Sequence, residues 1–251
     1  MSLDGCAAAV TFSVIVCAFN EEQLLPGCLH SLLQQSFLPH EIIVINNAST
    51  DRTAAVASIP GIRVVDEPRK GLVIARETGR RVSTGDVLVY VDADCRAPRD
   101  WLALVAKEFV GPHPPVAVTG PYRFYDWDII GRVLIRMYDY SLAPLTHLLA
   151  QYVFGLGAVL YGGNFAVRRD ALEAIGGFDT SIEFHGEDTN LARRISKAGR
   201  VRLRHSCWVF TSARRYKTMG RGKVFGLYVR NFCAEIFFHR PSDTSHEDVR
   251  A

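Results

Sequence analysis

The stretch DVLVYVDADC (86–95) decides how the rest of the chain is read. Residues 87–91 are apolar or aromatic without interruption, and two aspartates separated by one alanine follow at once. A strand with no polar alternation is covered on both faces, as in a parallel sheet with helices packed on each side. In an extended chain residues i and i+2 point the same way, with α-carbons about 7 Å apart. Asp92 and Asp94 therefore converge if the strand geometry persists that far. Like charges beside an apolar core raise each other's pKa unless a cation intervenes. An all-oxygen pair suits Mg²⁺ or Mn²⁺, held by one or two carboxylates with substrate phosphates completing the shell. Two solvated turn aspartates are the plain alternative for this motif taken alone.

The same kind of strand recurs on either side. FSVIV (12–16), EIIVI (41–45), IRVVD (62–66) and VAVTG (116–120) read as strands. Helical spacing falls between them at 21–37, 51–59, 71–85 and 98–111. Apolar residues at 25, 28, 29, 32 and 33 mark one face of the first helix, and Ser49 or Asp51 suits the cap of the second. Alternating strands and helices predict an α/β fold with a mostly parallel central sheet. Ligands in such sheets bind at the carboxyl ends of the strands. Those ends are CAFNEE (17–22), INNASTD (45–51) and VDADC (91–95).

The first of these loops argues against a dinucleotide enzyme. It holds Ala18-Phe19-Asn20-Glu21-Glu22 where G-x-G-x-x-G would meet a pyrophosphate. Two glutamates complement a helix N-terminus and repel phosphate. A nucleotide bound here would place its base or ribose by this loop and its phosphates by Asp92 and Asp94, with Lys70 and Arg76 as basic partners. In the second loop most residues are ordinary turn formers, but Asn47 sits at a strand end where its amide suits a base edge.

Bulk properties are those of an ordinary globular chain. Of 251 residues, 48% are hydrophobic and 22% charged, and 29 basic residues against 26 acidic give a net charge of +3. So small an excess argues against a nucleic-acid partner. The six cysteines (6, 17, 28, 95, 207, 233) form no CxxC pair and read as reduced thiols. The apolar N-terminus lacks a basic segment ahead of it and reads as a short tail before a buried strand.

Beyond Tyr122 the pattern changes. No Asp, Glu, Lys or Arg occurs over 140–167, long enough to weigh a membrane span. Pro144, His147, Gln151 and several glycines argue instead for an apolar helix packed on the protein or lying at a membrane surface. Residues 199–210 return to strand character. VFGLYVRNFCAEIFF (224–238) puts Phe225, Val229, Phe232 and Ile236 on one helix face. Together with Arg214 and Arg215 these segments suit a peripheral membrane contact. The two arginines also suit donor phosphate or a phosphorylated lipid acceptor, a solvated basic face being the alternative. His205 reads as an ordinary strand histidine, a cap on the metal shell from the C-terminal side being the alternative.

These motifs, in order over roughly 12–215, resemble the family 2 inverting glycosyltransferases of the GT-A fold. VIVCAFNEE resembles the strand-one signature, INNASTDRT the V-D-D-G-S-T-D block, KGLVIARETG the G-x-x-x-A-R-N-x-G block and VDADC the D-x-D. GGNFAVRRDALEAIGGFDTSIEFHGEDTNLARRISKAG resembles the acceptor-side block that ends in E-D. The resemblance implies a Rossmann-like three-layer sandwich, a nucleoside-diphosphate sugar donor and a hydroxyl acceptor on a glycan, a lipid or a lipid-linked sugar. It implies a metal, Mn²⁺ or Mg²⁺, with Asp94 as direct ligand and Asp92 near the ribose or metal. Ala18, Phe19, Glu21, Asn47, Lys70, Arg76 and Ala93 would form the nucleotide site, with Lys70 near the phosphates. Gly162, Gly163 and Asn164 would line the acceptor or donor-sugar side. Inversion needs a carboxylate to take the acceptor's proton. The resemblance gives that task to Asp188, supported by Glu187. Two departures stand out: Asn46-Asn47 replaces the commoner Asp-Asp, and Glu77 stands where the family often has Asn.

The expectation is thus a single glycosyltransferase domain over 1–251, of hexosyltransferase type. Residues 12–122 would bind the nucleotide sugar and 123–215 the acceptor, and 216–251 would form an amphipathic helix and tail. It would be cytoplasmic, at the inner face of the membrane if the apolar segments touch lipid. A metal-dependent nucleotidyltransferase and a non-catalytic nucleotide-sugar-binding domain are the alternatives. The first usually carries a Gly-rich basic loop after strand one, and CAFNEE is neither.

Overall fold

The computed structural model describes residues 10–182, 184–238 and 242. The first half alternates as expected: β1 (Phe12–Ala18), α1 (Leu25–Leu33), β2 (Glu41–Asn47), α2 (Thr53–Ala57), β3 (Arg63–Glu67), α3 (Leu72–Val82), β4 (Val87–Asp92), α4 (Trp101–Glu108) and β5 (Ala117–Thr119). The helix expected over 21–37 begins only at Leu25, because 21–24 form a turn in which the Glu21 carbonyl accepts from the N–H groups of Leu24 and Leu25. Its buried residues are Leu25, Cys28, Leu29 and Leu32, while Leu33 is exposed. In α2 neither Ser49 nor Asp51 is the cap residue, although the Asp51 carboxylate accepts from the Thr53 N–H at 2.9 Å.

The second half contains β6 (Tyr122–Phe124), α5 (Ile129–Met137), α6 (Ala143–Leu148), β7 (Asn164–Arg168), α7 (Arg169–Ala174), α8 (Glu187–Ile195), β8 (Val201–Leu203), β9 (Val209–Thr211), α9 (Arg214–Met219) and α10 (Arg221–Phe238). Seven strands form one sheet in the order β3-β2-β1-β4-β7-β5-β8, and β6 pairs with β9 in a second. All pairings are parallel except those of β7, which runs antiparallel to β4 and β5. The main sheet is a mixed, mostly parallel one between two helical layers. One layer packs α1, α2 and α4 on Val14, Val16, Val44 and Val89. The other packs α3, α7 and α8 on Ile15, Ile43, Leu88 and Phe165. Each central strand is apolar on both sides because each side meets a layer.

The register builds the site. Ala18 lies beside Asn46 and Cys17 beside Asp92, so the loops after β1, β2 and β4 share one edge. Antiparallel β7 starts at that edge, with Asn164 opposite Val91. The glycines just before it, Gly162 and Gly163, thus arrive next to the D-x-D.

One expectation is corrected. The charge-free run 140–167 is not one helix. Helical chain extends from α5 through a π-helical turn (Tyr138–Leu142), α6 and a second π-helical turn (Leu149–Val153). Gly155 and Gly157, at φ 63° and 141°, end it, and β7 follows. No helix among the described residues is long and apolar enough to cross a membrane. In α10 the inward side is Val224, Asn231 and Glu235, whereas Phe225 and Val229 are exposed and Phe232 is half-buried. The side chain of Ile236, the fourth residue of the apolar face, lies outside the described residues.

Candidate active site

Arg76 is the hub. It sits on α3, only 3% exposed, reaching the sheet edge from the layer beneath. Its Nη1 donates to Glu187 Oε1 at 3.1 Å and its Nη2 to the Gly162 carbonyl at 2.7 Å. The same Nη2 stands 3.8 Å from Asp92 Oδ1. Burial works against its charge, but the Glu187 and Asp92 carboxylates outweigh that and hold its pKa above the ordinary value. One buried cation thus joins the D-x-D to the E-D segment, residues almost a hundred positions apart in sequence. Glycine at 162 and 163 makes room for this. A Cβ on Gly163 would lie 2.0 Å from Asp92 Oδ2, and one on Gly162 3.2 Å from Glu187 Oε1. The Gly163 N–H donates to the Tyr122 hydroxyl at 2.6 Å, which fixes the loop.

A second cation lies on the other carboxylate. Arg214, at the start of α9, donates to Glu21 through Nη1 at 3.0 Å and also through Nη2. Its Nη2 is 3.2 Å from Asp94 Oδ2. Thr211 Oγ1 donates to Asp94 Oδ1 at 3.2 Å. Burial pushes Asp94 up to about 6, against the pull of Arg214, and the charges of Asp92 and Glu21 add to the rise. Arg214 faces Glu21 and Asp94, and Arg76 faces Asp92 and Glu187, so four carboxylates meet two guanidiniums and negative charge is in excess. Their hard oxygens fit Mg²⁺ or Mn²⁺. Among the described residues no group of three or more His, Cys, Asp or Glu side chains is placed to hold a metal ion. The protein would therefore offer Asp94 and Asp92, and substrate oxygens and water the remainder. His205 is not part of this set: it sits in a 3₁₀ turn with Nε2 2.6 Å from the Asp139 carbonyl.

Asp188 and Glu187 open α8 behind Gly186, whose φ of 87° only glycine adopts cheaply. Asp188 Oδ1 accepts from the Thr189 N–H at 2.7 Å and, more weakly, from its hydroxyl at 3.3 Å. Burial raises the Asp188 pKa, opposed by those bonds and by Arg76. Burial likewise pushes Glu187 up to about 7, the charge of Asp188 adding to the rise and Arg76 opposing it. The two carboxylates therefore hold a proton more readily than exposed ones do.

Other predicted residues fall into place unevenly. Lys70 Nζ rests 4.1 Å over the Phe19 ring, and together they wall the first-loop side. Ala18 and Ala93 are buried at the ends of β1 and β4. Asn47 holds the loop after β3: its amide donates to the Glu67 and Arg69 carbonyls at 3.3 and 2.6 Å, and its oxygen accepts from the Gly71 N–H at 2.8 Å. Asn164 is not brought to the site. It is 1% exposed, donating to the Gly120 and Cys207 carbonyls and accepting from Trp101 Nε1. Arg215 lies 4.7 Å over the Phe184 ring and donates to the Tyr228 hydroxyl at 3.2 Å. Glu77 is explained by structure: it accepts from Arg80, Arg81 and the Phe178 N–H, tying α3 to the loop before α8. The sequence does not mark Tyr122, whose hydroxyl holds the Gly163 N–H, or Thr211, whose hydroxyl holds Asp94, and no local motif points to either.

Comparison with known proteins gives the family and the fold. The family model described as glycosyl transferase family 2 matches residues 13–176. The chain is 25% identical over 195 residues to glycosyltransferase AglE of Haloferax volcanii, covering 74% of this chain and 62% of that protein. It is 27% identical over 223 residues to mouse polypeptide N-acetylgalactosaminyltransferase 4, covering 78% of this chain and 38% of that one. It thus spans less than two thirds of these relatives. Among solved structures, the mannosyltransferase PcManGT from Pyrobaculum calidifontis, in complex with GDP-Man and Mn²⁺, aligns with a TM-score of 0.70 at 23% identity, over 93% of this chain and 64% of that one. Glucosyl-3-phosphoglycerate synthase from Mycobacterium tuberculosis, with Mn²⁺, UDP and glucosyl-3-phosphoglycerate, aligns with a TM-score of 0.61 at 22% identity, over 93% and 81%. These likenesses carry the GT-A fold, and the family match carries membership: the chain belongs to glycosyl transferase family 2.

Proposed function

We propose that this glycosyltransferase moves a sugar from a nucleoside-diphosphate donor to an acceptor hydroxyl with inversion at the anomeric carbon. The observation that carries the reading is Arg76, buried and bonded to Glu187 while in ion-pair contact with Asp92. It sets the carboxylates suited to the donor beside those suited to the acceptor. Residues 12–122 serve the donor and 123–215 the acceptor.

Asp188 is the base. Thr189 occupies its Oδ1, so Oδ2 takes the acceptor's proton as the oxygen attacks opposite the leaving diphosphate. A carboxylate with a raised pKa is a stronger base than an exposed one. Glu187 keeps Arg76 oriented, and Arg76 in turn keeps the Gly162 carbonyl and Asp92 in register with it. Mn²⁺ or Mg²⁺ would be held by Asp94, with Asp92 as second carboxylate, and when bound would neutralise charge on the departing diphosphate. Arg214, already on Asp94, lies where it can turn to a donor phosphate. Glu21, Phe19 and Lys70 border the nucleotide. The complexes of the structural neighbours with GDP-Man and with UDP support a diphosphate donor but do not choose between bases.

The test is transfer from a panel of UDP-, GDP- and dTDP-sugars with Mn²⁺, with product configuration read by NMR. Asp188→Asn is expected to lower kcat by about 10²–10⁴-fold while the thermal shift on donor binding persists. Retention of configuration, or wild-type turnover by Asp188→Asn, would sink the proposal.

A further inference from the structure

The segment 129–153 is built inside out. Its inward stripe is polar or small: Gly131, Asp139, Ala143, His147 and Ala150 are buried. These positions are pinned by polar bonds. Asp139 Oδ1 accepts from the Tyr161 hydroxyl at 2.5 Å, and His147 Nε2 lies 3.1 Å from the Val201 carbonyl. Gln151 both donates to the Val201 carbonyl and accepts from its N–H, at 3.0 and 2.8 Å. Large apolar side chains face outward instead: Ile130, Leu134, Met137, Leu145, Leu148 and the adjoining Phe154 are 51–63% exposed. Two π-helical turns keep the inward stripe straight, since each adds a residue per turn without turning the apolar side in. In water an amphipathic helix buries its apolar stripe. A helix held by its polar side, with its apolar side outward, is matched to a non-aqueous neighbour.

The charges choose that neighbour. The exposed charged side chains of 129–153 are Arg132 and Arg136, and its one acidic residue, Asp139, is buried. A second copy of this face would oppose arginine to arginine. An apolar strip with arginines and no exposed acid suits the interface of an anionic bilayer. Helix α10 repeats the pattern, with Phe225 and Val229 outward and Asn231 and Glu235 inward. The two segments meet at Trp127, which stacks on Tyr216 at 4.5 Å and carries Arg221 over its ring at 5.6 Å.

We infer that residues 129–154 lie in the interface of an anionic phospholipid membrane. The segment is tied to the proposed base through the loop before β7: the Tyr161 hydroxyl donates to Asp139 on this segment, and a Cβ on the next residue, Gly162, would lie 3.3 Å from Asp188 Cβ. Resting on the reading of Asp188 as base, the acceptor is then an amphiphile presented by the bilayer, its hydroxyl reaching Asp188 while its apolar part stays in lipid.

Vesicle flotation tests the contact without donor or turnover. The full chain is expected to float with phosphatidylcholine vesicles containing phosphatidylglycerol, and about tenfold less with phosphatidylcholine alone. Leu134→Glu with Leu145→Glu, both at exposed positions, should cut partition by more than about tenfold with an unchanged melting temperature. Arg132→Gln with Arg136→Gln should abolish the preference for anionic lipid. Wild-type protein that stays at the bottom with both vesicles overturns the inference. So does a lipid-free dimer by light scattering that the Leu→Glu pair dissociates, which would make a second copy the occupant. Donor thermal shifts on the same samples test the glycosyltransferase site separately.

Discussion

At the residue scale the site is a small set of buried charges whose balance is tilted towards the proton. Glu187 is the clearest case. Its folded pKa is raised to about 7 by burial and by Asp188, above the ordinary value of about 4.3. The proton-bound form is therefore the one the fold prefers. The contribution to stability is full below the ordinary value and is lost as pH rises through about 7. Glu187→Gln, which keeps the oxygen facing Arg76, should match wild type in urea unfolding near pH 4.5 and exceed it in stability by pH 8. A variant equally stable at both ends would refute the tilt. Arg76→Ala removes the cation between Glu187 and Asp92 and should cost about 3–5 kcal/mol in the same assay. What sequence revealed here depended on adjacency. Asp92 and Asp94 sit in a short motif whose spacing is itself the signal, whereas Glu187, Asp188, Gly162 and Gly163 stand out only through the family resemblance. Arg76 also sits in a motif, but its role as a bridge was invisible, because its partners lie 16 and 111 positions away in sequence. Asn47 and Asn164 show the converse: a residue type suited to a ligand can be fully engaged by its own backbone surroundings.

At the level of elements, strands and the nucleotide-side helices were legible because both faces of the sheet are apolar, so pattern and packing agree. The second half was not, for a specific reason. Apolar periodicity names the buried face only when water covers the opposite one. In α10 and in 129–153 polar side chains are buried and large apolar ones exposed, so spacing alone does not name the buried face. Glu235 anchors α10. It is 0% exposed, and its Oε1 accepts from Asn190 Nδ2 at 3.1 Å and from Arg193 Nε at 2.8 Å, both on α8. This bond joins α10 to the helix that begins with Glu187 and Asp188. Glu235→Ala leaves Arg193 without its buried acceptor and should destabilise the protein by about 3 kcal/mol. Protease cleavage within α10 should then precede cleavage elsewhere, and transfer should weaken while the donor thermal shift remains. Undiminished protection of α10 in that variant would show that Glu235 does not hold it.

At the scale of the whole molecule, three segments distant in sequence meet at Arg214: the loop after β1 through Glu21, the D-x-D through Asp94, and the start of α9. No motif spacing could reveal a contact spanning 193 residues, although the chain's order of strands already places the first two loops on one edge. The guanidinium offsets carboxylates that would otherwise repel one another, and it occupies the carboxylate to which the proposed metal would bind. Two effects of Arg214→Ala follow from that position and have opposite signs. Without ligand, Glu21 and Asp94 lose their shared cation, and the melting temperature should fall, in keeping with a cost of about 3 kcal/mol for breaking a buried pair. With Mn²⁺ alone, the variant should gain more stability than wild type, because the ion no longer competes with the arginine for Asp94. A ligand that binds only the folded state stabilises it in proportion to the logarithm of its concentration over Kd, so titrating Mn²⁺ separates the two effects in one thermal-shift series. A variant that melts lower at every Mn²⁺ concentration by the same amount would mean that Arg214 and the metal do not share Asp94. A rise with Mn²⁺ that outpaces wild type would place both on the same carboxylate and make exchange between them a step in loading the donor.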